Sequence, residues 1–69
     1  MQISARNQLK GTVKSVVPGV VNSEVTIEIA PGVLVTAQIT AASVDRLGLK
    51  PGATAYAVIK ADSVMVGVD

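Results

Sequence analysis

The chain has 69 residues, a formal charge of +1, no cysteine, no histidine and one aromatic residue, Tyr56. That composition excludes disulfide staples, thiolate or imidazole metal clusters and most catalytic triads. It also lacks the basic field and the aromatic platforms with which a small domain holds nucleic acid.

Apolar residues form 49% of the sequence, and they are Val, Ile, Ala and Leu rather than Phe or Trp. Such aliphatic content favours strands. A chain this short forms one domain, residues 1–69. Ordering each residue costs roughly 1.5 kcal/mol, so burial within a single copy comes out close to break-even. With disulfides and metals excluded, oligomerisation is the expected staple. No apolar run approaches the ~20 residues of a membrane span. Met1 leads directly into a strand pattern without a signal-peptide core, so a soluble cytoplasmic protein is expected, with no membrane partner.

All three prolines are followed by glycine, at Pro18-Gly19, Pro31-Gly32 and Pro51-Gly52. Proline pre-sets the first central position of a turn and glycine accepts positive φ at the second, so each pair predicts a turn. The first segment, residues 3–17, sets Ile3, Ala5, Leu9 and Val13 against Ser4, Arg6, Gln8, Lys10, Thr12 and Lys14. Asn7 interrupts the apolar row, and Gly11 permits a bulge or bend. The second strand, residues 20–30, alternates Val21, Val25, Ile27 and Ile29 with Asn22, Glu24, Thr26 and Glu28. The third, residues 33–39, is apolar on both faces, through Val33, Val35 and Ile39 on one and Leu34 on the other. A strand apolar on both sides asks for cover on both sides, and a second subunit supplies it most readily.

The stretch "TAASVDRLGLKPG" predicts a helix capped by Thr40, stopped at Gly48 and closed off by Pro51. Strands at residues 53–60 and 64–68 follow. The order β-β-β-α-β-β describes an all-β fold with one short helix, a five-stranded OB-like Greek-key barrel that oligomerises.

Enzymatic readings lack a base, since neither His nor Cys is present and the five carboxylates form no suggestive pair. What the sequence concentrates is hydrogen-bond donors: Ser4, Arg6, Asn7 and Lys10 near the start, Thr40 at the helix entrance and Lys60 at the end of the fourth strand. Arginine, lysine, hydroxyls and backbone N–H groups suit an acceptor-only oxyanion. At a net ~1.5–3 kcal/mol each, four or five such bonds reach the roughly −8 kcal/mol of a micromolar site. The same residues read equally as surface charges, a helix cap and an ordinary strand serine. Spacing allows an oxyanion site without requiring one.

The segments "ISARNQLKGTV", "GVVNSEVTIEI", "ITAASVDRLGLKPG" and "AVIKADSVMVGV" resemble, in order and over essentially the whole chain, the Mop domain of the molbindin family. The resemblance implies a hexamer, a trimer of dimers, that holds molybdate or tungstate between subunits and needs no organic cofactor. It assigns Ser4, Ala5 and Arg6 to the anion, adds Thr40 at the strand-to-helix step, and brings Lys60 and Ala61 from a neighbouring subunit. Ala61 stands where relatives have serine, so only its backbone can donate. A second site built from backbone falls on Gly19, Val20, Val21 and Asn22. The function implied is intracellular storage of the oxyanion. The rival reading is a protein-interaction or regulatory module that keeps the fold without the anion site.

Overall fold

The computed structural model describes residues 1–69. Its elements are β1 (Asn7–Val17), β2 (Asn22–Ala30), β3 (Val33–Thr40), α1 (Ala41–Leu47) and β4 (Thr54–Ile59), followed by a 3-10 turn at Ala61–Ser63. The strands form one antiparallel sheet in the order β3-β2-β1-β4.

β1 serves two partners. Its first half, from Asn7 opposite Ile59 to Thr12 opposite Thr54, pairs with β4. Its second half, from Thr12 opposite Glu28 to Val17 opposite Glu24, pairs with β2. The sheet therefore curls about Thr12, and Gly11 is where β2 comes closest. A Cβ on Gly11 would fall on the Glu28 carbonyl oxygen and lie 2.8 Å from Ile27 Cγ2. Of the bulge or bend that Gly11 permits, the chain bends there, and the bulge sits at Lys14, where the register steps from Val13–Ile27 to Ser15–Thr26. One extra residue reverses the inward face of a strand. Val13 and then Val16 consequently both pack on the core. A second register step in the β2–β3 pair leaves Ile29 unpaired just before the turn.

Two of the three Pro-Gly pairs behave as turns with a left-handed glycine, Gly32 at φ 76° and Gly52 at φ 92°. Gly19 does not: its φ is not positive. Glycine is required there because a Cβ would collide with the Asn22 carbonyl oxygen. The helix follows its sequence signals. The Thr40 hydroxyl accepts the Ser43 N–H at 3.1 Å and donates to Ser43 Oγ at 2.8 Å. Gly48, at φ 65°, donates its N–H to the Asp45 carbonyl, and Leu49 closes back on Val44.

The core consists of Val13, Val25, Ile27, Val44 and Ala57. Beside it an apolar cavity of about 480 Å³ stands half open, its lining including Ile39, Leu47, Leu49 and Tyr56. The expected fifth strand is corrected: residues 64–68 form no strand, and Met65, Val66 and Val68 are more than 90% exposed. A strand exists only where its N–H and C=O groups find a ladder. Residues 64–68 pair with neither outer strand, β3 or β4, so the barrel is a curled sheet rather than a closed one. The first strand also begins later than expected, at Asn7 rather than at residue 3. No helix is long and apolar enough to cross a membrane.

Candidate functional site

The β1–β4 pairing decides where the donors go. Residues 4–6 end where β1 starts, Lys60 follows where β4 ends, and Asn7 and Ile59 are opposite partners in the ladder. Asn7 reinforces that join: its Nδ2 donates to the Ile59 carbonyl at 3.2 Å from a half-buried position. Gln8 Nε2 donates to the Ala5 carbonyl at 2.9 Å, holding the preceding segment against the strand entrance. The result is a cleft of about 110 Å³ lined by Ser4, Ala5, Arg6, Lys60 and Ala61.

A space of that size admits several waters or a small polyatomic ion. The lining carries a hydroxyl on Ser4, a guanidinium on Arg6 and an ammonium on Lys60, and it contains no carboxylate. Two cations held at one small cleft repel unless an anion lies between them. Ser4, Arg6, Lys60 and Ala61 are exposed and Ala5 is half-buried, so the cleft opens to solvent in a single chain. One carboxylate stands just outside: Asp62 Oδ2 lies 3.8 Å from Lys60 Nζ. No group of three or more His, Cys, Asp or Glu side chains could hold a metal ion. The larger apolar cavity shares no residue with this cleft and offers almost no polar partner. It is an apolar depression open to the surface, and the smaller cleft is where ionic chemistry resides.

Five of the six residues assigned to the principal site are therefore gathered in one chain. The resemblance assigns Lys60 and Ala61 to a neighbouring subunit; within the chain itself they line the same cleft as Ser4, Ala5 and Arg6. Thr40 is elsewhere, with its hydroxyl committed to the α1 cap on both its accepting and donating sides. Gly19, Val20 and Val21 lie in the exposed connection from β1 to β2 and Asn22 opens β2, and the Val21 carbonyl accepts the Ala41 N–H at 2.8 Å. Asn7 and Gln8 are the residues that hold the cleft together without lining it. The signal for Asn7 was present as the polar interruption of an apolar row. Its partner, 52 positions away, was not readable.

The TOBE domain family matches residues 3–66. The chain is 52% identical over its full length to a probable molybdenum-pterin-binding protein of Haemophilus influenzae, which it also covers completely. Among solved structures it is similar to a molybdate-binding protein from Sporomusa ovata, with a TM-score of 0.90 and 38% identity over 99% of this chain and all of that one. It is also similar to the cytoplasmic molybdate-binding protein ModG with molybdate bound, with a TM-score of 0.94 and 51% identity. All of this chain matches 49% of ModG.

Proposed function

The chain belongs to the TOBE-domain family and within it to the molbindins, and from that premise we propose that it binds molybdate in the cleft of Ser4, Ala5, Arg6, Lys60 and Ala61. The observation that carries this reading is the gathering of Arg6, Lys60 and a serine hydroxyl around a cleft with no carboxylate in its lining. Molybdate is fully deprotonated near neutrality and only accepts hydrogen bonds, so a wall of donors suits it. Hydrogen phosphate retains a proton that such a wall leaves without an acceptor. Tungstate has the same charge and shape and belongs to the same reading. The role is storage of the oxyanion in the cytoplasm, by binding and release without chemical conversion.

The assembly proposed is a homo-oligomer, a hexamer arranged as a trimer of dimers. A monomer of 7.0 kDa is expected to expose roughly 4,000 Å², whereas this chain exposes 5304 Å². The difference exceeds the ~800 Å² that each partner loses in an interface of standard size. The apolar cavity and the exposed Val64, Met65, Val66 and Val68 are apolar surfaces that a partner would cover. Assembly would shelter the open cleft and bring a neighbour's Thr40 to it, whose hydroxyl would turn its proton from Ser43 Oγ to the anion while still accepting the Ser43 N–H. The exposed loop at residues 19–22 is assigned to a second anion site built from backbone groups.

Equilibrium dialysis against molybdate, with sulfate and phosphate as competitors and the mass in solution measured in parallel, tests the reading. Saturable binding that excess sulfate leaves in place is expected, together with its loss in Arg6→Ala and Lys60→Ala. Parental affinity in either variant overturns the site. An oligomer that binds no molybdate overturns the function and favours an interaction module.

A further inference from the structure

We propose that the Asp62 carboxylate, paired with Lys60 beside the cleft, lowers the affinity of the cleft by repelling the bound anion, an inference that rests on the oxyanion reading above. The chain contains two ion pairs, and only one of them involves a residue of the cleft. Lys60 Nζ lies 3.8 Å from Asp62 Oδ2, and both side chains are about three-quarters exposed, at 76% and 74%. Asp62 itself is not part of the lining. It sits in the 3-10 turn immediately after Ala61, beside the cleft rather than in it.

The geometry makes the carboxylate an internal stand-in for the ligand. Lys60 and Arg6 line the same cleft, and Asp62 offers Lys60 an opposite charge. A tetrahedral dianion entering between the two cations needs the same ammonium, so the Lys60–Asp62 contact loosens as the anion docks. Separating an exposed pair costs little. The carboxylate nevertheless remains near a doubly charged ligand and repels it. Asp62 therefore lowers affinity without touching the anion, which keeps the site in a range from which the anion is released. Because the effect acts on charge alone, molybdate and tungstate feel it equally.

The test is isothermal titration of the purified, assembled protein with sodium molybdate and with sodium tungstate, comparing the parent with Asp62→Asn. The control is Asp45→Asn, which removes a carboxylate on α1 that makes no ion pair. One charge beside a dianion at an open cleft alters binding about three- to ten-fold at 0.1 M salt. Asp62→Asn is expected to bind both anions tighter by that factor, with the gain shrinking below about two-fold at 1 M salt, where the Debye length is ~3 Å. Asp45→Asn is expected to bind like the parent. Unchanged or weaker binding by Asp62→Asn overturns the proposal, as does a gain that salt does not diminish. If the parent itself binds neither anion, the oxyanion reading fails first, and that outcome is distinct from a parent that binds while Asp62→Asn gains nothing.

Discussion

Replacing Gly11 with alanine tests the bend on which the whole sheet depends. The new Cβ would meet the Glu28 carbonyl oxygen, with Glu28 C at 3.0 Å and Ile27 Cγ2 at 2.8 Å. The isoleucine methyl can turn aside, but the carbonyl belongs to the β2 backbone, where Glu28 pairs with Thr12. Comfortable C···O contacts start near ~3.3 Å, so β2 must retreat by close to an ångström. Ladder bonds weaken beyond ~3.2 Å, and losing one or two costs ~0.5–1.5 kcal/mol each. Forcing an extra methyl into packed surroundings adds ~1–3 kcal/mol. The reduced flexibility of the unfolded chain returns ~0.4–1 kcal/mol. The net centres at ~3 kcal/mol within a span of about 0.5–5.6 kcal/mol, out of the roughly 3–10 kcal/mol expected of a domain this size. At ~4–8 °C per kcal/mol, Tm falls by about 10–20 °C. Thermal unfolding followed by far-UV circular dichroism, at one fixed protein concentration because assembly couples to Tm, measures it. Gly67→Ala is the control, since nothing lies within 4 Å of its added Cβ. A Gly11→Ala protein melting with the parent would mean that β1 does not pass this close to β2, and the account of the curl would be wrong.

Three further outcomes follow from the same geometry. Asn7→Leu removes the bond from Nδ2 to the Ile59 carbonyl and is expected to cost about 1 kcal/mol of stability. Because that bond joins the two halves of the cleft, molybdate affinity should also fall by about ten-fold in dialysis; full affinity would show that the ladder alone holds the cleft. Thr40→Ala loses the α1 cap and is expected to lower stability by ~0.5–2 kcal/mol. Thr40→Asp keeps a capping oxygen but brings a negative charge, so if Thr40 serves the anion in the assembly this variant melts like the parent and binds molybdate poorly. Ala61→Ser adds a hydroxyl to the cleft lining, and one hydrogen bond to a charged partner at ~1.5–3 kcal/mol should tighten molybdate by about ten-fold or more. Unchanged binding would place position 61 out of reach of the anion.

The local signals in this sequence were sufficient for the local structure. Thr40, Gly48 and Pro51 bound a helix because caps and stops act within one turn of chain, and the helix appears at Ala41–Leu47. Gly32 and Gly52 take positive φ because a Pro-Gly turn needs it wherever it occurs. The inward row of β2, with Val25 and Ile27 in the core, follows from alternation alone. Ser4, Arg6 and Lys60 were readable as donors for an oxyanion, since that depends on the chemistry of the side chains. Their membership in one cleft was not, because Lys60 reaches residues 4–6 only through the pairing of β1 with β4. Non-local pairing likewise placed the bulge at Lys14 and the close approach at Gly11, both of which answer to β2. Residues 64–68 show the converse: their alternation suits a strand, but a strand is completed by its neighbour, and only the tertiary structure reveals that no neighbour within the chain accepts them.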